Sequence, residues 1–223
     1  LSGEEMSYFI ISDGKEIRNF ETAQDHKRVL ENDKGPNTGG MGAYSPSRLI
    51  NPILEKKILN KVIEPTIKAL KEMGSNYKGF LYAGLMIVNE EPYLIEYNVR
   101  MGDPECQTIL PKLKTDFLKI IEACCQEKLK DLKIEWHDKK SLCVVVCSKG
   151  YPDKYKNEVL IENTKKLNLG ENDFMYHAGT KKIKNKIYSN GGRVISFVSL
   201  SSNFKECRNK IFNHINKLAW SGG

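Results

Sequence analysis

The stretch Pro92-Tyr93-Leu94-Ile95-Glu96-Tyr97-Asn98-Val99-Arg100-Met101-Gly102-Asp103-Pro104-Glu105 constrains the chain most, because a strand-forming run opens it and polar side chains then recur at alternate positions. Tyr93, Leu94 and Ile95 follow an Asn89-Glu90-Glu91 turn signal. Side chains two apart on a strand share a face, so Glu96, Asn98 and Arg100 should point one way. Ile95, Tyr97 and Val99 should then pack on the other side. A carboxylate, an amide oxygen and a guanidinium on one face suit a hard cation and a polyphosphate. An edge strand with one solvated polar face meets the same spacing, and the pattern alone does not choose between them.

A chain of 223 residues, 40% hydrophobic and 28% charged, is long enough for a sizeable core in one large domain or two small ones. No apolar run approaches the length of a membrane span, and no signal-peptide pattern is present. Cys106, Cys124, Cys125, Cys143, Cys147 and Cys207 lack zinc-site spacing and read as thiols in a reducing compartment, hence a cytoplasmic protein. The formal charge of +7 comes mostly from dispersed Lys, which suits phosphate-rich small molecules or weak nucleic-acid binding. Without a basic motif interleaved with aromatics, nucleic acid is not the expected partner. Leu1 is not an initiating Met, and the sequence stops at Trp220-Ser221-Gly222-Gly223 just after a helical pattern closes. It is expected to be part of a longer protein.

From the start, Met6–Ser12 reads as a central strand, Asp13-Gly14 as a two-residue hairpin and Lys15–Glu21 as the return strand. Gln24-Asp25-His26-Lys27-Arg28 and the Gly-rich Lys34-Gly35-Pro36-Asn37-Thr38-Gly39-Gly40-Met41-Gly42 follow. Glycines there allow backbone N–H groups to converge on an anion, so a loop covering substrate or phosphate is expected, although it is neither a Walker A loop nor a dinucleotide fingerprint. Asn51-Pro52 caps a helix with a kink at Pro65 and a stop at Gly74. Phe80–Val88 reads as a second apolar strand that runs into the Asn89-Glu90-Glu91 turn and forms a hairpin with the strand opening at Tyr93. A helical pattern then runs from Glu105 through Cys124, with Asp103 and Glu105 near its start. Residues 129–140 look like a charged linker between a domain over 1–128 and a small α+β domain over 141–223. In the latter, Tyr151-Pro152-Asp153 and His177-Ala178-Gly179-Thr180 read as turns, Asn190-Gly191-Gly192 as a hairpin into Arg193–Leu200, and Asn203–Leu218 as an amphipathic helix. No nucleophile elbow, motif-bearing His beside Cys or Ser, or His/Cys metal cluster is evident; an enzyme built this way would work by oxygen-ligated metal and electrostatic positioning.

Gln24–Arg28, Gly35-Pro36-Asn37-Thr38-Gly39-Gly40-Met41-Gly42-Ala43-Tyr44-Ser45-Pro46 and Arg100-Met101-Gly102-Asp103-Pro104-Glu105-Cys106-Gln107 resemble, in order, the signature blocks of the phosphoribosylamine–glycine ligase (glycinamide ribonucleotide synthetase) family of the ATP-grasp superfamily. The module after Ser141 resembles that family's C-terminal domain, so the chain looks like the family's C-terminal half. The resemblance implies an α+β fold: the second half of an ATP-grasp domain, an antiparallel sheet with helices, followed by a small α+β domain.

It further implies ligation of glycine to 5-phosphoribosylamine through glycyl phosphate, using ATP and Mg²⁺ or Mn²⁺, in purine biosynthesis. By that resemblance Glu96 and Asn98 hold the metal. Glu4 or Glu5 reaches the ribose, and Gln24 joins them at ATP. Arg100 and Asp103 are the expected catalytic residues, Arg100 stabilising the transferring phosphoryl group. Asp25, Lys27, Arg28, Asn37, Thr38, Gly39, Gly40 and Arg193 line the substrate pocket. The amino-terminal half of the same protein is the implied partner, without which little activity is expected. One departure is Gly84, where many ATP-grasp enzymes carry a further metal-binding acid. Competing readings are another ATP-grasp ligase or biotin-dependent carboxylase subunit, sharing Glu96 and Asn98, and a basic non-enzymatic binding module.

Overall fold

The run Met6-Ser7-Tyr8-Phe9-Ile10-Ile11 is buried along its whole length, as expected of a strand paired on both edges and covered on both faces. The structure, a computed structural model, describes residues 2–32 and 34–223. In chain order the strands are β1 (Glu4–Asp13), β2 (Ile17–Asp25), β3 (Arg28–Leu30), β4 (Lys34–Asn37), β5 (Gly42–Ser45), β6 (Lys78–Val88), β7 (Glu91–Asn98), β8 (Lys140–Cys147), β9 (Leu160–Ile161), β10 (Asp173–His177), β11 (Thr180–Ile183), β12 (Lys186–Ser189) and β13 (Arg193–Ser201). The α-helices are α1 (Pro52–Ile58), α2 (Glu64–Glu72), α3 (Glu105–Ile109), α4 (Phe117–Cys125) and α5 (Phe204–Ile215).

Two compact units form, each discontinuous in sequence. Leu1–Gln24, Ser45–Gly102 and Lys112–His137 make the first; Asp25–Tyr44, Asp103–Pro111 and Asp138–Gly223 make the second. This membership differs from the expected division at 128 and 141. Residues 25–44 group with the C-terminal residues, where Val145 N donates to Met41 O at 2.9 Å. Residues 129–137 of the expected linker are packed in the first unit: Leu129 is fully buried, His137 N donates to Lys112 O at 2.8 Å, and Trp136 meets Phe20 edge-on. Composition marks charge but not long-range pairing, and it gives no sign that these two segments pack with residues far from them in sequence.

In the first unit β2, β1, β6 and β7 lie side by side, antiparallel throughout. Met6, Tyr8, Ile10, Leu81, Ala83 and Leu85 turn one face of this sheet onto Leu54, Ile58 and Ile63. Asn51 caps α1, accepting from Ile53 N and Leu54 N at 3.0 and 2.9 Å. A π-helical turn over Leu59–Ile63 absorbs the approach to Pro65, and Gly74 ends α2 at φ +81°. The helix expected over 105–124 is broken in two. Pro111 cannot continue α3, and the Asp116 side chain starts α4 afresh by accepting from Lys119 N at 3.1 Å.

In the second unit β10, β13 and β8 are antiparallel neighbours, with β5 beyond β8. α5 covers this sheet through Cys207 and Ile211, and Asn203 caps it by accepting from Glu206 N at 2.9 Å. The hairpin expected at Asn190-Gly191-Gly192 does not form. β12 pairs with β11 and β9, whereas β13 pairs with β10 and β8, so those residues pass the chain from one sheet to another.

The first hairpin turns through more residues than Asp13-Gly14. Asp13 Oδ1 accepts from Lys15 N at 2.9 Å and Glu16 N at 2.7 Å, and its Oδ2 accepts from Leu129 N at 3.0 Å. Burial opposes this charge, but the three backbone donors outweigh it and hold the carboxyl below its ordinary 3.8. A carboxyl with a lowered folded-state pKa stabilises the fold above its unfolded pKa and stops doing so as pH falls through the folded value. Asp13→Ala should therefore cost about 2–3 kcal/mol at neutral pH, measured by urea unfolding. The deficit should shrink below about pH 4; a deficit constant down to acid pH would refute the assignment.

Candidate active site

In the first unit Ser7, Gly84 and Glu96 stand directly opposite one another across β1, β6 and β7, and Phe9, Tyr82 and Asn98 form the adjacent row. Cross-strand partners share a face, so Glu96 and Asn98 project together: Asn98 Nδ2 lies 3.1 Å from Glu96 Oε1. Their floor is firm. Ser7 Oγ donates to Tyr82 Oη at 2.9 Å, and the Phe9 and Tyr82 ring centres are 4.6 Å apart. A β-carbon on Gly84 would stand 3.2 Å from Glu96 Cγ, so the missing side chain gives the carboxylate its room.

Of the rest of the alternation expected along this strand, only Tyr97 conforms. A register shift opposite Gly84 and Leu85 leaves Ile95 as an extra, half-exposed residue, and Val99 lies exposed beyond the strand end. Of the three residues expected on the far side, Tyr97 packs there, donating its hydroxyl to Val62 O at 3.1 Å. Arg100 is past the ladder, exposed, and donates to Met101 O at 3.1 Å. Strand β7 is also the last of its sheet.

Glu4 and Glu5 separate. Glu5 sits two residues before Ser7 and so shares the face of Glu96; Glu4 faces the other side and pairs with Arg48. Gln24 is buried, donating to Glu5 O at 3.0 Å and accepting from Ser47 Oγ at 3.2 Å, which makes it a brace between strands. Among the described residues no group of three or more His, Cys, Asp or Glu side chains is placed to hold a metal. The Glu96 carboxylate and the Asn98 amide oxygen, once that amide rotates, fit a hard divalent cation that takes its other ligands elsewhere.

The second unit gathers its expected residues around Arg193. Its Nη1 lies 2.6 Å from Gly39 O, 2.9 Å from Asp103 O, 3.2 Å from Asp103 Oδ1 and 3.4 Å from Gly40 O. Two hydrogens serve the two nearest oxygens, and the others add charge attraction. Asp103 Oδ1 also accepts from Gln107 Nε2 at 2.8 Å, so this carboxylate is already engaged. Gly40, at φ +110°, packs so closely that a β-carbon would stand 2.5 Å from Pro104 Cδ and 2.8 Å from Asp25 Oδ1.

The loop's N–H groups do not converge on an anion. Thr38 N donates to Lys27 O (2.8 Å), Gly39 N to Tyr151 Oη (3.0 Å), Gly40 N to Thr38 Oγ1 (3.0 Å) and Met41 N to His26 O (2.8 Å). Thr38 Oγ1 donates to Lys27 O at 2.8 Å, and Arg28 donates to Gly35 O at 2.8 Å across the β3–β4 hairpin. Asn37, Arg28 and Gly39 remain exposed and Lys27 half-buried, so side chains rather than main-chain donors are what this loop offers a ligand. The sequence around Tyr151 reads as a plain turn; no local signal announces a contact with residue 39. Burial pushes the Cys143 thiol up to about 12 and that of Cys147 up to about 11, so neither supplies a thiolate here at neutral pH.

Two family models match: the phosphoribosylglycinamide synthetase ATP-grasp (A) domain over residues 1–106 and the C domain of the same enzyme over 141–223. A phosphoribosylamine–glycine ligase of Vigna unguiculata is 38% identical over 100% of this chain and 73% of its own length. The chain belongs to the phosphoribosylamine–glycine ligase family. The ligase of Caldanaerobacter subterraneus subsp. tengcongensis is 47% identical, and the chain spans about half, 52%, of its length. The crystal structure of the family member from Thermotoga maritima superposes with a TM-score of 0.87 at 31% identity, covering 100% of this chain and 54% of that one. A biotin carboxylase from Campylobacter jejuni has a TM-score of 0.68 at 15% identity over 100% of this chain and 47% of its own, a likeness of fold alone. Within this family frame, Gly40→Ala combines a positive φ with a collision against Pro104. It should destabilise the protein by about 1–3 kcal/mol, read in chemical denaturation. Gly74→Ala, whose β-carbon would meet nothing within 4 Å, should cost less, and equal costs would contradict the packing argument.

Proposed function

We propose that this chain is part of an ATP-dependent ligase that joins glycine to 5-phosphoribosylamine in purine biosynthesis. Family membership supports the substrates, and one observation carries the mechanism: Glu96 and Asn98 side by side on a braced sheet face, with Gly84 clearing space before them. ATP, when bound, supplies the phosphoryl group that turns a carboxylate into an electrophile. The chain's own task is then placement and charge neutralisation rather than nucleophilic attack.

Glu96 and Asn98 would hold Mg²⁺ or Mn²⁺ through side-chain oxygens, leaving its other positions to phosphate and water, a usual mode for Mg²⁺ at nucleotide sites. Glu5, on the same face, is the acid suited to a ribose hydroxyl. Met86, opposite Glu5, and the bulged Ile95 add apolar surface on which a base can rest. Among the described residues Arg100 pairs with no carboxylate, and it is suited to a transferring phosphoryl group. Asp103, tied to Arg193 and Gln107, is assigned to holding the Gly39–Gly40 loop. Lys27, Arg28 and Asn37 offer cationic and amide groups to a phosphorylated amine. The amino-terminal half that the family resemblance implies is expected to complete the nucleotide cleft. Six free cysteines, three of them buried, suit a cytoplasmic setting.

In the full-length protein, Glu96→Gln should lower kcat about a hundredfold or more while moving Tm by no more than about 2 °C. Turnover close to wild type would remove Glu96 from the metal site. A parallel fall in Tm would make it a structural residue instead.

A further inference from the structure

The segments that looked like plain turns meet at one place in the second unit. Ser148 N donates to Gly192 O at 2.7 Å, Ser148 Oγ to Gly191 O at 2.7 Å, and Tyr151 N to Ser148 O at 3.0 Å. Gly179 N donates to Arg193 O at 2.9 Å, and Asn190 N to Gly179 O at 2.7 Å. Gly192 lets the Tyr151 ring lie on the main chain, since a β-carbon there would stand 2.1 Å from Tyr151 Cδ2. From this knot two side chains reach the same peptide unit: Tyr151 Oη takes the Gly39 N–H at 3.0 Å, and Arg193 Nη1 reaches the Gly39 carbonyl at 2.6 Å.

We infer that Tyr151 is a positioning residue for the ligation, setting the Asn37–Met41 loop against the phosphorylated amine substrate. Three facts carry this. Gly39 is exposed, so its N–H would find water without Tyr151 and stability does not require the contact. The N–H groups of Thr38, Gly40 and Met41 are held within residues 26–41, so among the described residues Tyr151 and Arg193 are what tie Gly39 to residues distant in sequence. Lys27 and Arg28 border the same loop, and that charge suits a phosphate-bearing ligand rather than neutral or zwitterionic glycine.

The inference rests on the ligase reading, and the test separates the two. In the full-length protein carrying Tyr151→Phe, amide exchange at Gly39 should quicken about tenfold, with the unfolding midpoint unchanged. KM for 5-phosphoribosylamine should rise about five- to tenfold, with KM for ATP and kcat near wild type. Unchanged exchange would overturn the clamp. Faster exchange with unaltered kinetics, or equal rises in both KM values with lowered stability, would overturn the positioning role. If the wild-type protein formed no amide from these substrates, the ligase reading and the kinetic role would fall together, and the exchange rates would still decide whether Tyr151 holds Gly39.

Discussion

One guanidinium organises the second unit. Arg193 opens β13, fixed at its own carbonyl by Gly179 N, and its Nη1 collects oxygens from Gly39, Gly40 and Asp103. These residues are far apart in sequence, so each loop closure costs entropy that local structure does not return. A charged donor among carbonyls and a carboxylate offsets that cost, because charge-assisted bonds are roughly twice as strong as neutral ones. Lysine would be a poor substitute: a single ammonium on a flexible stem lacks the planar fork. The Gly39–Gly40 loop therefore owes its shape to a residue some 150 positions away.

The first unit solves a similar problem with apolar packing. Glu96 and Asn98 sit on an exposed edge strand, where polar side chains ordinarily wander in solvent. Here they stand over Ser7, Phe9 and Tyr82, all buried, in a sheet whose other face is covered by α1 and the turn after it. Burial of β1 on both faces sets the register, and register fixes which residues face which. A one-residue slip of β7 would replace Glu96 opposite Gly84 with a larger apolar side chain. Core packing and placement of the carboxylate are thus one constraint seen from two sides of a sheet.

Much of this was legible in sequence, and the failures have physical causes. The apolar run of β1, the Asn51 cap, the Gly74 stop and the α5 stripe are local signals and stand in the structure as read. Glu96 and Asn98 share a face as period-two alternation requires, but the same rule misplaced Ile95 and Val99, because a bulge inserts one residue and the strand ends at Asn98. Apolar spacing ran a helix through Pro111, where the missing N–H and the fresh cap at Asp116 break it. The Gly-rich loop was read through its glycines as an anion cradle, yet Gly40 is needed for close packing against Pro104 and Asp25, and the N–H groups are used internally. Tyr151 left no trace, since a tyrosine in a turn looks the same whether or not its hydroxyl meets a distant peptide.

Glycine recurs at each of these points for a reason other than flexibility. Gly84, Gly40 and Gly192 each leave out a β-carbon that would collide with, or crowd, a group with work to do: Glu96 Cγ at 3.2 Å, Pro104 Cδ at 2.5 Å and the Tyr151 ring at 2.1 Å. Such contacts bring backbone and side chain closer than any other residue type permits, which rigidifies the site rather than loosening it. The ligase proposed above, lowering its barrier by electrostatic placement, would gain from that rigidity. Preorganised donors and charges spend no reorganisation energy at the moment of reaction, and an error of about 1 Å in their placement can cost a hundredfold in rate.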